Sequence, residues 1–193
     1  MKRICVFCGA NSGSRPVFVE RAQAFGRALV GRELELVYGG GNVGLMGALA
    51  DAVLDAGGRV TGVIPRALLE KELAHERAQR MLVVATMHER KARMAELSDA
   101  FVALPGGFGT LDEICEVLTW TQLGFHDKPC ALFDVEGYWR PLSAMFDAAL
   151  ESGFLRAENR SSVLEHSEPE ALLDALERWR PARVEKWIRP GEA

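Results

Sequence analysis

A glycine-rich run and two charged residues carry the chemistry open to this chain. Glu113 closes Pro105-Gly-Gly-Phe-Gly-Thr-Leu-Asp-Glu113, and Arg90 stands ahead of it in a basic segment with Lys91 and Arg93. Glycines let a backbone approach a ligand closely. The unpaired N–H groups of a helix's first turn, aided by its dipole, attract an anion. A strand, a glycine loop and a helix start in that order suit a phosphate, with Gly106, Gly107, Gly109 and Thr110 holding it. A carboxylate beside such a cradle can act as a base for water, or stabilise an oxocarbenium-like transition state as in glycoside cleavage. A guanidinium suits a bidentate grip on phosphate or the face of a purine. Plainer readings stand beside these. Thr110 and Glu113 fit a capping box, and Arg90 and Lys91 fit a solvated helix face. Asp112 fits the surface, Thr119 packing, and His88 an exposed histidine at a helix start.

The elements that must position these groups follow from periodicity. Residues 100–104 form an apolar run too short for a helix, read as a strand buried on both faces. After it, apolar residues at Leu111, Ile114, Cys115, Leu118 and Leu123 predict a helix to about 123. Further strands are predicted at 4–8, 34–38, 59–64, 81–85 and 129–133, with an edge strand at 162–165. Helices are predicted at 17–30, 45–55, 88–97, 138–151 and 168–178, and 65–79 reads as polar, with a helical turn or two. Strands alternating with helices imply an α/β fold: a Rossmann-like, doubly wound parallel sheet with helices on both faces, in a single domain over 1–193. Glycine-rich loops follow strands at 9–13, 39–44 and 105–109. All three are therefore expected to face one crevice at the carboxyl ends of the strands. Gly39-Gly-Gly41-Asn-Val-Gly44 matches GxGxxG but lacks the acid expected about 20 residues on, and no GxxxxGK[ST] loop occurs. NAD and ATP chemistry are disfavoured.

Composition narrows the partners. A net charge of −4 over 193 residues argues against nucleic acid or an anionic membrane surface, leaving a small anion held by local cations. No apolar stretch approaches the roughly 20 residues of a membrane span, and no signal-peptide pattern follows Met1, so a cytoplasmic protein is expected. Cys5 and Cys8 have CxxC spacing but fall in an apolar strand, on opposite faces, as buried structural thiols. The four histidines show no metal-ligand spacing, and no cofactor is implied.

Four ordered stretches together resemble the Lonely Guy family of cytokinin-activating nucleoside 5′-monophosphate phosphoribohydrolases, often misfiled as lysine decarboxylases. They are Val6-Phe-Cys-Gly9; Tyr38-Gly-Gly-Gly41 with Gly44-Leu-Met-Gly47; Met87-His-Glu-Arg-Lys91 with Met94; and the PGGxGTxxE hallmark at 105–113. Trp120-Thr-Gln-Leu-Gly124 and His126-Asp-Lys-Pro129 extend the likeness, which covers about 3–155. The resemblance implies hydrolysis of an N-glycosidic bond to free base and ribose 5-phosphate, with Arg90 and Glu113 as the catalytic pair. It implies substrate binding by Lys91, by Gly107, Phe108, Gly109, Thr110, Leu111 and Asp112, by Thr119, and by Glu72 from a variable loop. It also implies at least a homodimer. Two other readings remain open: a nucleotide- or phosphate-binding carrier or sensor without turnover, and a phosphoribosyl transferase. The transferase would want an acidic pair for magnesium, and no such pair stands at a strand end.

Overall fold

Periodicity of two places alternate residues of each central strand in two different cores. Ile4, Val6 and Cys8 pack into one apolar cluster, while Cys5 and Phe7 pack into the other. Leu36 and Tyr38 against Val37, and Val102 and Leu104 against Phe101 and Ala103, divide in the same way. The computed structural model describes residues 1–69 and 74–181. The expectation for Glu72, and everything read at 70–73 and 182–193, lies outside the described residues.

The chain runs β1 (Arg3–Phe7), α1 (Pro16–Gly31), β2 (Glu35–Tyr38), α2 (Gly44–Asp55), β3 (Val60–Pro65), α3 (Arg66–Leu69) and β4 (Arg80–Val84). It continues through α4 (Met87–Leu97), β5 (Ala100–Ala103), α5 (Phe108–Leu123), β6 (Cys130–Phe133), α6 (Arg140–Glu151), α7 (Ala157–Ser161), β7 (Val163–His166) and α8 (Pro169–Arg178). The strands form one parallel sheet in the order β4-β3-β2-β1-β5-β6-β7. Helices α1, α2 and α8 cover one face, through Phe25, Leu49 and Leu173, and α4 and α5 cover the other, through Met94 and Ile114. This is the doubly wound α/β fold.

Strand order reverses between β1 and β5. At such a reversal the loops leaving the two strands diverge to opposite sides and leave a crevice at the sheet's carboxyl edge. The loop after β1 is 8–15, and the loop after β5 is the glycine run. They are stitched together where the Gly9 N–H donates to the Pro105 carbonyl at 3.0 Å.

Two boundaries differ from expectation in ways that matter. Helix α5 begins at Phe108 with Gly107 as its N-cap, and no side chain caps it. Thr110 therefore lies inside the first turn and the capping box does not form. Helix α6 begins at Arg140 rather than 138, which leaves Tyr138 in the turn that precedes it. Among the described residues, no helix is long and apolar enough to cross a membrane.

Candidate active site

Arg90 sits in the first turn of α4, which Thr86 caps by accepting a hydrogen bond from the Glu89 N–H. Its side chain runs inward under the carboxyl ends of β2 and β3, and the residue is only 7 % exposed. Nε donates to the Val63 carbonyl at 3.1 Å, and Nη1 donates to Glu113 Oε1 at 3.0 Å. The neighbouring backbone is Gly39, where a Cβ would overlap Arg90 Nη2. A glycine at that point leaves room for the guanidinium at the strand end.

Glu113 reaches the same point from α5, one and a half turns into the helix, and is 6 % exposed. Burial pushes its carboxyl above the usual glutamate range, and Arg90 opposes the rise without cancelling it. A guanidinium and a carboxylate thus meet largely buried, each with its partner as the main compensation for lost water. The solvated-face reading of Arg90 does not hold, because the guanidinium is sequestered.

The pair forms the floor of a cavity of about 500 Å³ at the switch point. Loop residues Gly9, Ala10, Asn11, Ser12 and Gly13 line one side, and Pro105, Gly106, Gly107, Gly109 and Thr110 line the other. The third glycine loop contributes differently: Gly39 makes room for Arg90, and the start of α2 supplies Leu45 and Met46 to the wall. With no side chain capping α5, the N–H groups of its first turn have no partner within the helix and stand beside the cavity. Gly107 and Gly109 have open space where a Cβ would be, so nothing in the protein itself requires glycine there. At Gly106 a Cβ would overlap the Thr110 hydroxyl and lie 2.9 Å from the Gly9 nitrogen.

The remaining sequence candidates lie elsewhere. Lys91 is 9 % exposed but lies off the cavity wall, with Nζ at 3.0 Å from both Asp112 Oδ2 and Glu116 Oε1. Burial alone would lower that ammonium's pKa, yet its two carboxylate partners raise it. Asp112 is exposed and engaged in this cluster, and Leu111 packs against the core on the α4–α5 side of the sheet. Phe108 is 92 % exposed beside the mouth. The Thr119 hydroxyl donates to the Cys115 carbonyl at 2.7 Å and faces a second cavity of about 160 Å³ between α5, α6 and α7. His88 is exposed. The thiols of Cys5 and Cys8 are buried, and burial raises both above the ordinary range.

Sequence reasoning missed several wall residues: Asn11, Ser12, Phe18, Met46, Leu68 and Tyr138. Asn11 and Ser12 carried a signal, since they sit in a loop already expected to face the crevice. Phe18 and Leu68 carried none, because helix periodicity does not say which residue of a first turn or short helix overlooks a ligand.

Comparisons with known proteins place the chain among relatives of known name. The family described as "Possible lysine decarboxylase" matches residues 46–176. A probable cytokinin riboside 5′-monophosphate phosphoribohydrolase of Oryza sativa subsp. japonica is 50 % identical over 177 residues, which is 92 % of this chain and 79 % of that protein. A cytokinin riboside 5′-monophosphate phosphoribohydrolase of Arabidopsis thaliana is 47 % identical over 180 residues, 93 % of this chain and 79 % of that protein. Among solved structures, the molybdenum cofactor binding protein of Rippkaea orientalis superposes with a TM-score of 0.69 at 21 % identity, over 92 % of this chain and 96 % of that one. At that identity the likeness speaks for the fold alone. The two plant proteins are similar across nearly the whole chain. With them, the chain belongs to the Lonely Guy family of cytokinin riboside 5′-monophosphate phosphoribohydrolases.

Proposed function

We propose that the chain hydrolyses the N-glycosidic bond of nucleoside 5′-monophosphates, AMP and N6-modified cytokinin ribotides among them, to free base and ribose 5-phosphate. The observation that carries this reading is the buried Arg90–Glu113 pair opening onto a cavity bordered by an uncapped helix N-terminus. The 5′-phosphate docks against the N–H groups at 107–110, where glycine lets it come close. That places C1′ over Glu113. Positive charge growing at C1′ is stabilised by the carboxylate, which the same position allows to take a proton from the attacking water. Water supplies hydroxide to C1′, the C1′–N bond breaks, and the electron pair leaves with the base, which takes up the proton that the water gave to Glu113. Arg90 orients Glu113 and opposes the rise that burial causes in its carboxyl pKa. Lys91, Leu111, Asp112 and Thr119 remain part of the proposed binding set through the family resemblance, together with Glu72.

A carrier that only binds nucleotide is the second reading. A carboxylate held beside a bound anion would weaken binding and bring such a carrier nothing in return. The decarboxylase description has little to rest on. Among the described residues lining the cavity none is a lysine, and Lys91 is held protonated by two carboxylates.

The test is incubation with AMP and with an N6-isopentenyl ribotide, separating free base from nucleotide by chromatography. Base should appear in equal amount with ribose 5-phosphate. The rate should fall on acidification with a midpoint above the usual glutamate value of about 4.3, because burial raises the Glu113 carboxyl and its ionised form is required. Absence of base at any pH, with nucleotide bound, would leave the carrier reading.

The homodimer belongs to the same proposal. Helix α6 aligns Leu142, Met145, Phe146 and Ala149, yet none of its residues is buried, and Met145 is 63 % and nearby Phe154 87 % exposed. A second copy covering this face would account for it. Light scattering should then read at least twice 21.2 kDa, whereas a monomer mass would refute self-association.

A further inference from the structure

Strand β6 leads into a turn that stands apart from the Arg90–Glu113 pair. The Asp134 carboxylate accepts hydrogen bonds from the Gly137 N–H at 2.9 Å and the Trp139 N–H at 2.8 Å, and the Trp139 side chain is sealed in the core. So anchored on both flanks, the turn holds Tyr138 over the cavity, where its ring forms part of the wall. The Tyr138 hydroxyl donates to the Gly106 carbonyl at 2.5 Å. Its ring meets Phe18 edge to face, centroids 5.9 Å apart, and Phe18 in turn lies under the Arg15 guanidinium. Arg15 pairs with Glu136 of the same turn. Tyr138 thereby links the turn after β6 to the loop that leaves β5 and to the first turn of α1, while the neighbouring Glu136 holds Arg15 of the loop that leaves β1.

We propose that Tyr138 is a positioning residue that sets the phosphate-holding loop for its ligand. This rests on the phosphoribohydrolase reading for the identity of that ligand, a 5′-phosphorylated ribose. A carbonyl oxygen is the negative end of its peptide, and an unpaired one beside a phosphate would repel it. Tyr138 removes that repulsion by occupying the Gly106 oxygen. All described peptides are trans, so the Gly107 N–H points opposite to that oxygen, and fixing one end of the peptide fixes the other. A hydrogen bond to the carbonyl also polarises the peptide and makes its N–H a better donor. The turn is therefore an outer support for the cradle: it touches the loop that touches the substrate.

Tyr138→Phe keeps the ring against Phe18 and deletes only the hydroxyl. The expected result is a KM for AMP raised about fivefold with kcat within about twofold, the size of one hydrogen bond. By calorimetry, affinity for ribose 5-phosphate should fall by the same factor, affinity for adenine should not change, and the melting temperature should stay within a degree or two. Loss of affinity for adenine as well as for ribose 5-phosphate would mean a generally loosened site and would overturn the proposal. Unchanged ribose 5-phosphate binding would overturn it outright. Should wild-type protein bind ribose 5-phosphate without ever releasing base, while Tyr138→Phe still costs fivefold in that binding, the positioning role stands and the enzyme reading falls.

Discussion

Glu113→Gln should release base from AMP at least about a thousandfold more slowly than the wild type, while binding the nucleotide as tightly or tighter. The substitution keeps the shape of the side chain and an amide oxygen that can still accept from Arg90 Nη1. What it removes is charge. If the carboxylate stabilises cationic C1′ or takes a proton from water, an amide can do neither, and both routes predict the same collapse in kcat. Binding moves the other way, because the phosphate no longer shares its crevice with a second anion. The acid limb of the rate profile should vanish with the carboxyl group that produces it. Removing the charge leaves the buried Arg90 guanidinium without its counter-ion, so the melting temperature should fall. Because burial raises the Glu113 pKa in the folded state, its contribution to stability is greatest below the unfolded pKa and is lost as pH rises through the folded one. A variant that turned over at the wild-type rate would remove Glu113 from the chemistry. One that lost nucleotide binding together with turnover would make it a binding group.

The sheet, its parallel sense and the two loops flanking the crevice were legible from the chain because each depends on local pattern. Residues 100–104 are apolar throughout, glycines follow, and helical spacing resumes; no long-range information is needed to see the cradle. Arg90 was legible only as a candidate. A basic residue in the first turn of a helix ordinarily faces water, and what buries this one is an acid 23 positions later together with the Val63 carbonyl. Chain periodicity carries no record of such a meeting. The start of α5 was misplaced for a related reason: Thr110 is the better intrinsic cap, but Gly107 takes the position because the peptide must turn as it leaves β5. Tyr138 was assigned to a helix on its apolar spacing. The competing signal was Asp134 three residues before Gly137, a side chain that accepts from the backbone ahead of it and holds the turn open.

Gly39→Ala should lower kcat/KM by about a hundredfold without any change in a residue that touches substrate, the scale expected when a catalytic group is displaced by about an ångström. The added methyl would overlap Arg90 Nη2, with Arg90 Cζ at 3.0 Å and Met46 Sδ at 3.2 Å. The methionine can yield by rotating. The guanidinium has less freedom, since its other contacts are the Val63 carbonyl and Glu113. It must therefore leave the strand end, and Glu113 then loses both its orientation and the charge that opposes its protonation. The acid limb of the rate profile should move to higher pH, a shift that a merely less stable protein would not show. The decisive comparison is with Arg90→Met. If Gly39 acts only by making room for the guanidinium, the double variant should be no slower than Arg90→Met alone, because the methyl then has nothing left to displace. Losses that multiply in the double variant would assign Gly39 a separate role at the strand end and break the link drawn here between a missing side chain on β2's exit and the charge state of an acid on α5.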